Sequence, residues 1–336
     1  MRMSPELASV GLASAEVRWH VHAALALFAF GIPLDALIAT RIGSSSIVLG
    51  APLAAVACWH MLVGNRFRPL PWPLILITGF VAWSAVSVLW ARDQELFQIR
   101  TTTNIQLLLF VLLGWQLLDS ERALSAALFG FVVGCIGLAA GVWKAFLAGE
   151  ALGGYEGGTR FAAEGIDPND MGVTLAIGFP MVTYLAVSSG RRARYLALGY
   201  FPLGWSAIAL SGSRGATVTA VVAALGMLLW FAASRKSAIP VVLALLVGSV
   251  VLAWSYVPWE TWERILTLGE AVEGGSTAGD RLQIWRAGLN VFAQHPIAGV
   301  GAGGFSSSVI PALGAQLAAH NTLLSVAVDV GGIGLL

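Results

Sequence analysis

Charge is what this chain has least of. Asp, Glu, Lys and Arg make up 11% of its 336 residues, against 57% hydrophobic ones, and the mean hydropathy is +0.79. A soluble domain carries closer to a quarter charged residues because its surface must be wetted. A water-exposed globule of this size is therefore excluded. The net charge of +1 gives no ground for nucleic acid or for any strongly charged partner. Cysteine is equally scarce. Cys58 and Cys135 both fall within apolar runs and read as packed thiols, offering neither a disulfide framework nor a metal site. No Walker loop, HExxH, Cys/His cluster or G-x-S-x-G elbow occurs, so ATP-driven work and zinc catalysis are unsupported, and neither cofactor nor metal is expected. Gly299, Gly301 and Gly304 fit G-x-G-x-x-G, but no βαβ unit surrounds them. A flexible loop wall is the better reading than a dinucleotide site.

Long apolar runs are what the chain has most of. Without water at hydrocarbon depth the backbone must satisfy itself, and runs of about 17–25 residues without period-two alternation do so as helices. The expected fold is all-α: a polytopic transmembrane bundle of about ten spans. They fall at 21–39, 46–63, 72–91, 103–118, 123–147, 170–188, 195–211, 215–233, 238–257 and 321–336. The chain reads as one integral membrane domain over 1–336, with an extended loop at 258–320. The first span is not a cleavable signal, because a mixed polar stretch precedes it and no A-x-A site follows. The last stops without a basic flank, so a longer parent protein is expected. Gly130/Gly134 and Gly137/Gly141 place small residues one turn apart, which suits close helix packing in lipid.

Orientation follows from the short basic connections. Those at 65–71, 190–194 and 234–237 carry Arg66, Arg68, Arg191, Arg192, Arg194, Arg235 and Lys236, and all three fall on one side, the cytoplasmic one. The opposite side still holds Arg92, Arg100, Arg160, Arg214, Arg281 and Arg286, which the rule does not account for. That side also carries the polar stretches 150–170 and 258–319 and the short turn at Ser213-Arg214-Gly215. A guanidinium near a bilayer is costly unless it meets an anion or snorkels to water, and its planar fork suits phosphate. Arg160, Arg214 and Arg281 together therefore suggest an anionic ligand at the membrane surface; snorkelling is the plainer reading for any one of them. His320 is the best acid–base candidate, since it opens the last span at the membrane edge and imidazole titrates near neutrality. An interfacial helix cap is the alternative there. Asp329, deeper in that span, needs a partner, and an arginine could supply it. Asp35 in the first span raises the same question. His295, in HPIAG, suits a turn.

Four stretches, taken in order, resemble the O-antigen ligase and polymerase superfamily of bacterial inner membranes. They are Arg160 with Asp167-Pro168-Asn169-Asp170; Ser213-Arg214-Gly215; Asp280-Arg281 with Ile284-Trp285 and the run from His295 to Phe305; and His320-Asn321 with Asp329 and Gly331-Gly332-Ile333-Gly334. The resemblance runs from about residue 160 to the end, and the N-terminal half matches only as a series of spans. It implies a helical fold like that of C-type glycosyltransferases and a metal-independent enzyme of the inner membrane whose site faces the periplasm. Such an enzyme moves a glycan from undecaprenyl pyrophosphate to an acceptor hydroxyl, on lipid A-core for a ligase or on a growing glycan for a polymerase. Under that reading Arg214, Arg281 and His320 are catalytic. The arginines stabilise the leaving pyrophosphate and His320 takes the acceptor proton. Arg160, Asn169, Asp170, Arg286, Asn321 and Asp329 then bind or position substrate. Ligase is the preferred member, polymerase the next. A transporter or flippase for lipid-linked glycans is the competing class, although no paired broken helices are visible.

Overall fold

The computed structural model describes residues 19–42, 45–64, 67–152, 159–234, 239–266 and 276–336. Arg66, Arg235 and Lys236, used above for orientation, lie outside them. The described residues form helices and a single isolated bridge, Leu152 with Arg160, and no sheet. The expected all-α membrane architecture is what the chain adopts. Six helices among the described residues are long and apolar enough to cross a bilayer. In the order of the chain we name α1 Trp19–Ala39, interrupted by a 3₁₀ turn at Ile32–Leu34, and α2 Ser45–Gly64. There follow α3 Trp72–Val86, α4 Gln94–Leu117, α5 Glu121–Leu147, α6 Pro168–Ser188, α7 Arg191–Leu210, α8 Arg214–Ser234 and α9 Ile239–Tyr256. The six are α1, α3, α4, α5, α6 and α8, while α2 and α9 contribute shorter apolar stretches, Val48–Val63 and Leu246–Tyr256.

One expectation needs correction. The span placed at 321–336 is instead a helix of nine residues, Thr322–Val330 (α14), ended by Gly331 at φ 73° and followed by a 3₁₀ turn at Gly332–Leu335. At 1.5 Å per residue nine residues reach about 14 Å, well short of a hydrocarbon core of about 30 Å. Apolar composition does not report helix length, and here the two glycines end the helix. The segment after Pro258 holds α10 Trp259–Leu266, α11 Ser276–Gln294 and two short helices, α12 Phe305–Ser308 and α13 Ile310–Leu313.

The chain divides into two compact units. The first comprises 1–66 and 116–268. Its core is the packing of α6 against α7 and α8, with α5 and α9 alongside, around Phe179, Tyr200, Phe201 and Trp205. The expected close approach through glycine is present: a Cβ at Gly130 would strike the Ala26 carbonyl, and one at Gly134 the Phe30 carbonyl, so α1 lies directly on the α5 backbone. Cys135 is buried there and Cys58 is exposed. The second unit comprises 67–115 and 269–336. In it α3 and α4 form a hairpin, and the turn joining them is met by the end of α14 and by the glycine-rich turn from His295 to Gly304.

Candidate functional site

In the first unit the candidate residues collect where α6 and α8 begin. Asp167 caps α6, its Oδ1 accepting from the N–H groups of Asn169 (2.7 Å) and Asp170 (3.4 Å). Pro168 occupies the first helical position, where its missing donor is harmless. The turn before α8 is built the same way. Ser213 Oγ accepts from the Ala216 N–H, and Gly212 takes φ 59° to allow the reversal. The two helix starts touch closely, because a Cβ on Gly172 would stand 2.5 Å from that of Ala216. Arg160 ties them together: its Nε donates to the Ser211 carbonyl (2.9 Å) and its Nη2 to Asn169 Oδ1 (2.9 Å). DPND and the end of α7 at Ser211, just before the SRG turn, are thus joined through one guanidinium. Arg214 is partly exposed at the first position of α8, and Asp170 is exposed in the first turn of α6, where a carboxylate suits the helix dipole. Asn169, proposed above as a substrate group, is engaged by Arg160.

The second unit holds the remaining candidates. His320 is exposed and has the single positive φ of any non-glycine residue described, 47°. Histidine tolerates this region better than most residues, but the neighbours must still hold it there. On one side the indole Nε1 of Trp285 donates to the Ala319 carbonyl at 2.8 Å. On the other, Asn321 caps α14, with Oδ1 accepting from the Leu324 N–H and its carbonyl from the Ser325 N–H. The cap role weighed for His320 therefore belongs to Asn321. The imidazole makes no hydrogen bond to any described residue. Arg281 precedes Trp285 by one helical turn and so shares its face of α11, whereas Arg286 is turned away from Arg281 by about 140°. Both arginines are exposed.

Asp329 is 6% exposed, and its Oδ1 accepts from the Phe305 N–H at 2.8 Å. It lies outside the six candidate spans. Burial pushes its carboxyl up to about 6, opposed by backbone donation from Phe305 and Gly303, the charge of Arg100 and the Ser325 hydroxyl. The arginine that answers Asp329 is Arg100, not one of the three singled out from sequence. Because the folded carboxyl titrates above the ordinary value of 3.8, folding favours its proton between those pH values, and stability falls as pH rises through that window. Asp329→Asn keeps an acceptor for Phe305 and should flatten this dependence. Asp329→Leu, which removes the acceptor from a buried N–H, should lower stability by about 1–3 kcal/mol. Thermal melts of both variants at pH 5 and 7.5 check this; equal melting of all three proteins at both values rules it out.

The glycine-rich turn is no flexible wall. Val300 and Gly301 donate to the Val328 and Asp329 carbonyls at 2.9 and 2.8 Å, Gly332 donates to Pro296 (2.8 Å), and Ala302 donates to Ser87 Oγ (3.0 Å). Trp90 Nε1 donates to the Ala298 carbonyl and Trp83 Nε1 to that of Val330. Arg92 Nη2 stands 3.1 Å from His295 Nε2, which makes that nitrogen the acceptor and places the ring proton on Nδ1. Sequence reasoning gave His295 a turn role and missed its partner. It also missed the three indoles, since tryptophan in an apolar chain gives no sign of which carbonyl it will meet.

Residues 198–336 match the O-antigen ligase family model. Over that stretch the chain is similar to the O-antigen ligase superfamily. Within the matched stretch lie Arg214, Arg281, Arg286, His320, Asn321 and Asp329, while Arg160, Asn169 and Asp170 precede it. No curated protein and no solved structure matches the chain. O-antigen ligase family members are glycosyltransferase-like membrane enzymes acting on lipid-linked glycans. Among the described residues no group of His, Cys, Asp and Glu could hold a metal ion.

Proposed function

We propose that this protein is a glycosyltransferase of the bacterial inner membrane. It moves a glycan from undecaprenyl pyrophosphate to an acceptor hydroxyl on lipid A-core, at the periplasmic face. The observation that carries this reading is His320, an exposed imidazole held in a left-handed backbone inside the stretch that matches the O-antigen ligase family. An imidazole that bonds to no described residue is available to orient an acceptor hydroxyl and take its proton. The hydroxyl oxygen then bonds to the anomeric carbon as the bond from that carbon to the pyrophosphate oxygen breaks. Direct displacement inverts the anomeric centre. Arg281, on the Trp285 face of α11, and Arg214, opening α8, are the donors for the charge that develops on the leaving group. Arg160, Asn169 and Asp170 in the first unit, and Arg286, Asn321 and Asp329 in the second, bind substrate or hold their own neighbours in place; for Arg160, Asn169, Asn321 and Asp329 the bonds described above favour holding.

The test uses purified protein with undecaprenyl-pyrophosphate glycan, with and without lipid A-core. Product that needs lipid A-core and falls about 10²-fold or more in Arg214→Ala and Arg281→Ala is the expected result. Longer glycan on the carrier without that acceptor makes the protein a polymerase. Movement of the lipid-linked glycan across vesicles without transfer makes it a transporter and ends the enzyme reading.

A further inference from the structure

The end of α9 and the start of α10 gather an aromatic group that the function proposed above does not use. Trp254, Tyr256 and Trp259 are each more than half exposed. Their rings are ordered rather than scattered. Trp259 stands edge to face with Trp254, the ring centroids 5.8 Å apart and the planes at 78°. Trp262 backs Trp254 at 5.2 Å, and Trp143 meets Tyr256 at 6.1 Å. Trp143 is itself fixed, because its Nε1 donates to Ser206 Oγ at 3.0 Å. Two exposed indoles, nearly perpendicular, thus make a corner.

That corner is tied to the candidate residues of the first unit. Thr261, fully buried in α10, donates from Oγ1 to the Thr159 carbonyl at 2.7 Å. The next residue is Arg160, which joins DPND to the end of α7. Tryptophan at a membrane edge commonly belongs to an interfacial belt. Charge argues for a different partner here. Glu263 is exposed and follows Trp259 by four residues, so carboxylate and indole share one face of α10. A carboxylate there repels the phosphate of an anionic headgroup and accepts readily from hydroxyls. A sugar ring suits both groups. Its C–H face is apolar with slight positive charge, which matches the negative face of an indole, and its rim carries hydroxyl donors.

We propose that Trp254, Trp259 and Glu263 bind one sugar residue of the glycan. Its ring stacks on the indoles and its hydroxyls donate to the Glu263 carboxylate. That the sugar belongs to a transferred glycan rests on the function proposed above; the sugar-binding chemistry does not. Donor glycan and core acceptor present the same chemistry, and the experiment separates them. Two soluble probes are used: glycan cleaved by mild acid from the lipid-linked donor, and core oligosaccharide freed of lipid A. Their dissociation constants for the purified full chain are measured by ligand-observed NMR for wild type, Trp259→Ala, Trp259→Phe and Glu263→Gln. Trp72→Ala, which removes an exposed indole at the start of α3, is the control.

The expected result is about three- to tenfold weaker binding of the donor glycan in Trp259→Ala and Glu263→Gln, with most of it retained in Trp259→Phe and no change in the control. Weakening confined to the core oligosaccharide supports the subsite and assigns it to the acceptor. Wild type that binds neither probe, or equal binding by wild type and the folded variants, overturns the proposal and leaves the indoles as a bilayer belt. Glycan transfer by the same preparations keeps the two readings apart. Transfer by wild type without any effect of the variants on binding overturns the subsite alone. Binding through Trp259 without any transfer overturns the proposed function and leaves the subsite standing.

Discussion

Replacing His320 by Asn should abolish glycan transfer while leaving the protein folded. Asparagine accepts a left-handed backbone about as well as histidine does, so the His320→Asn variant keeps φ near 47° without new strain. It also keeps a polar side chain of similar reach. What it loses is a ring nitrogen that can act as a base. A fall of about 10²–10⁴-fold in turnover is expected, with donor binding retained. His320→Ala should lose as much turnover and also some stability, since alanine in the left-handed region costs about 1 kcal/mol. The pair separates backbone from imidazole. A His320→Asn protein transferring glycan at more than a tenth of the wild-type rate removes the base from the mechanism.

Gly299→Ala is expected to destabilise the second unit more than any other single methyl added to the turn from His295 to Gly304. Gly299 adopts φ 68°, and a Cβ there would lie 2.5 Å from the carbonyl oxygens of both Val328 and Asp329. Those are backbone atoms of α14 that cannot move aside without breaking the bonds from Val300 and Gly301. Left-handed strain and the clash together should cost about 2–4 kcal/mol. The control is Gly314→Ala, also left-handed at φ 73° but with nothing within 4 Å of the added carbon, which should cost about 1 kcal/mol. Thermal melts in one detergent compare them. Equal shifts for the two variants mean that the turn yields, and that Gly299 is needed only for its φ. Because the same turn supports α14, Gly299→Ala should also reduce transfer at temperatures where the protein remains folded.

Composition and the pattern of the apolar runs decided that the chain is an all-helical membrane protein. With so few charges the backbone must satisfy itself in lipid, as helices or a closed barrel, and long runs without period-two alternation leave helices; that argument needs no tertiary detail. The glycine pair at 130 and 134 was likewise readable, because helix packing in lipid demands small residues one turn apart. The last helix was not readable. Hydropathy counts apolar side chains, and it is blind to Gly331 turning the chain at φ 73° after nine residues.

Within the candidate site the sequence supplied the identities and the order of the residues, but only tertiary structure set what each one touches. Arg160 and Asn169 were legible as polar residues near a membrane edge; that they bond to each other, and Arg160 to Ser211, depends on two helix starts meeting. Asp329 announced a missing partner, yet its donors come from Phe305, Gly303 and Ser325, with Arg100 contributing its charge. Trp285 stood in the sequence beside Ile284 with no assigned task, and folding made it the anchor for Ala319 and thus for the His320 backbone. The physical reason is the same throughout. Transfer energies and helix limits are local properties, additive along the chain, whereas a hydrogen bond needs a partner whose position the rest of the fold decides.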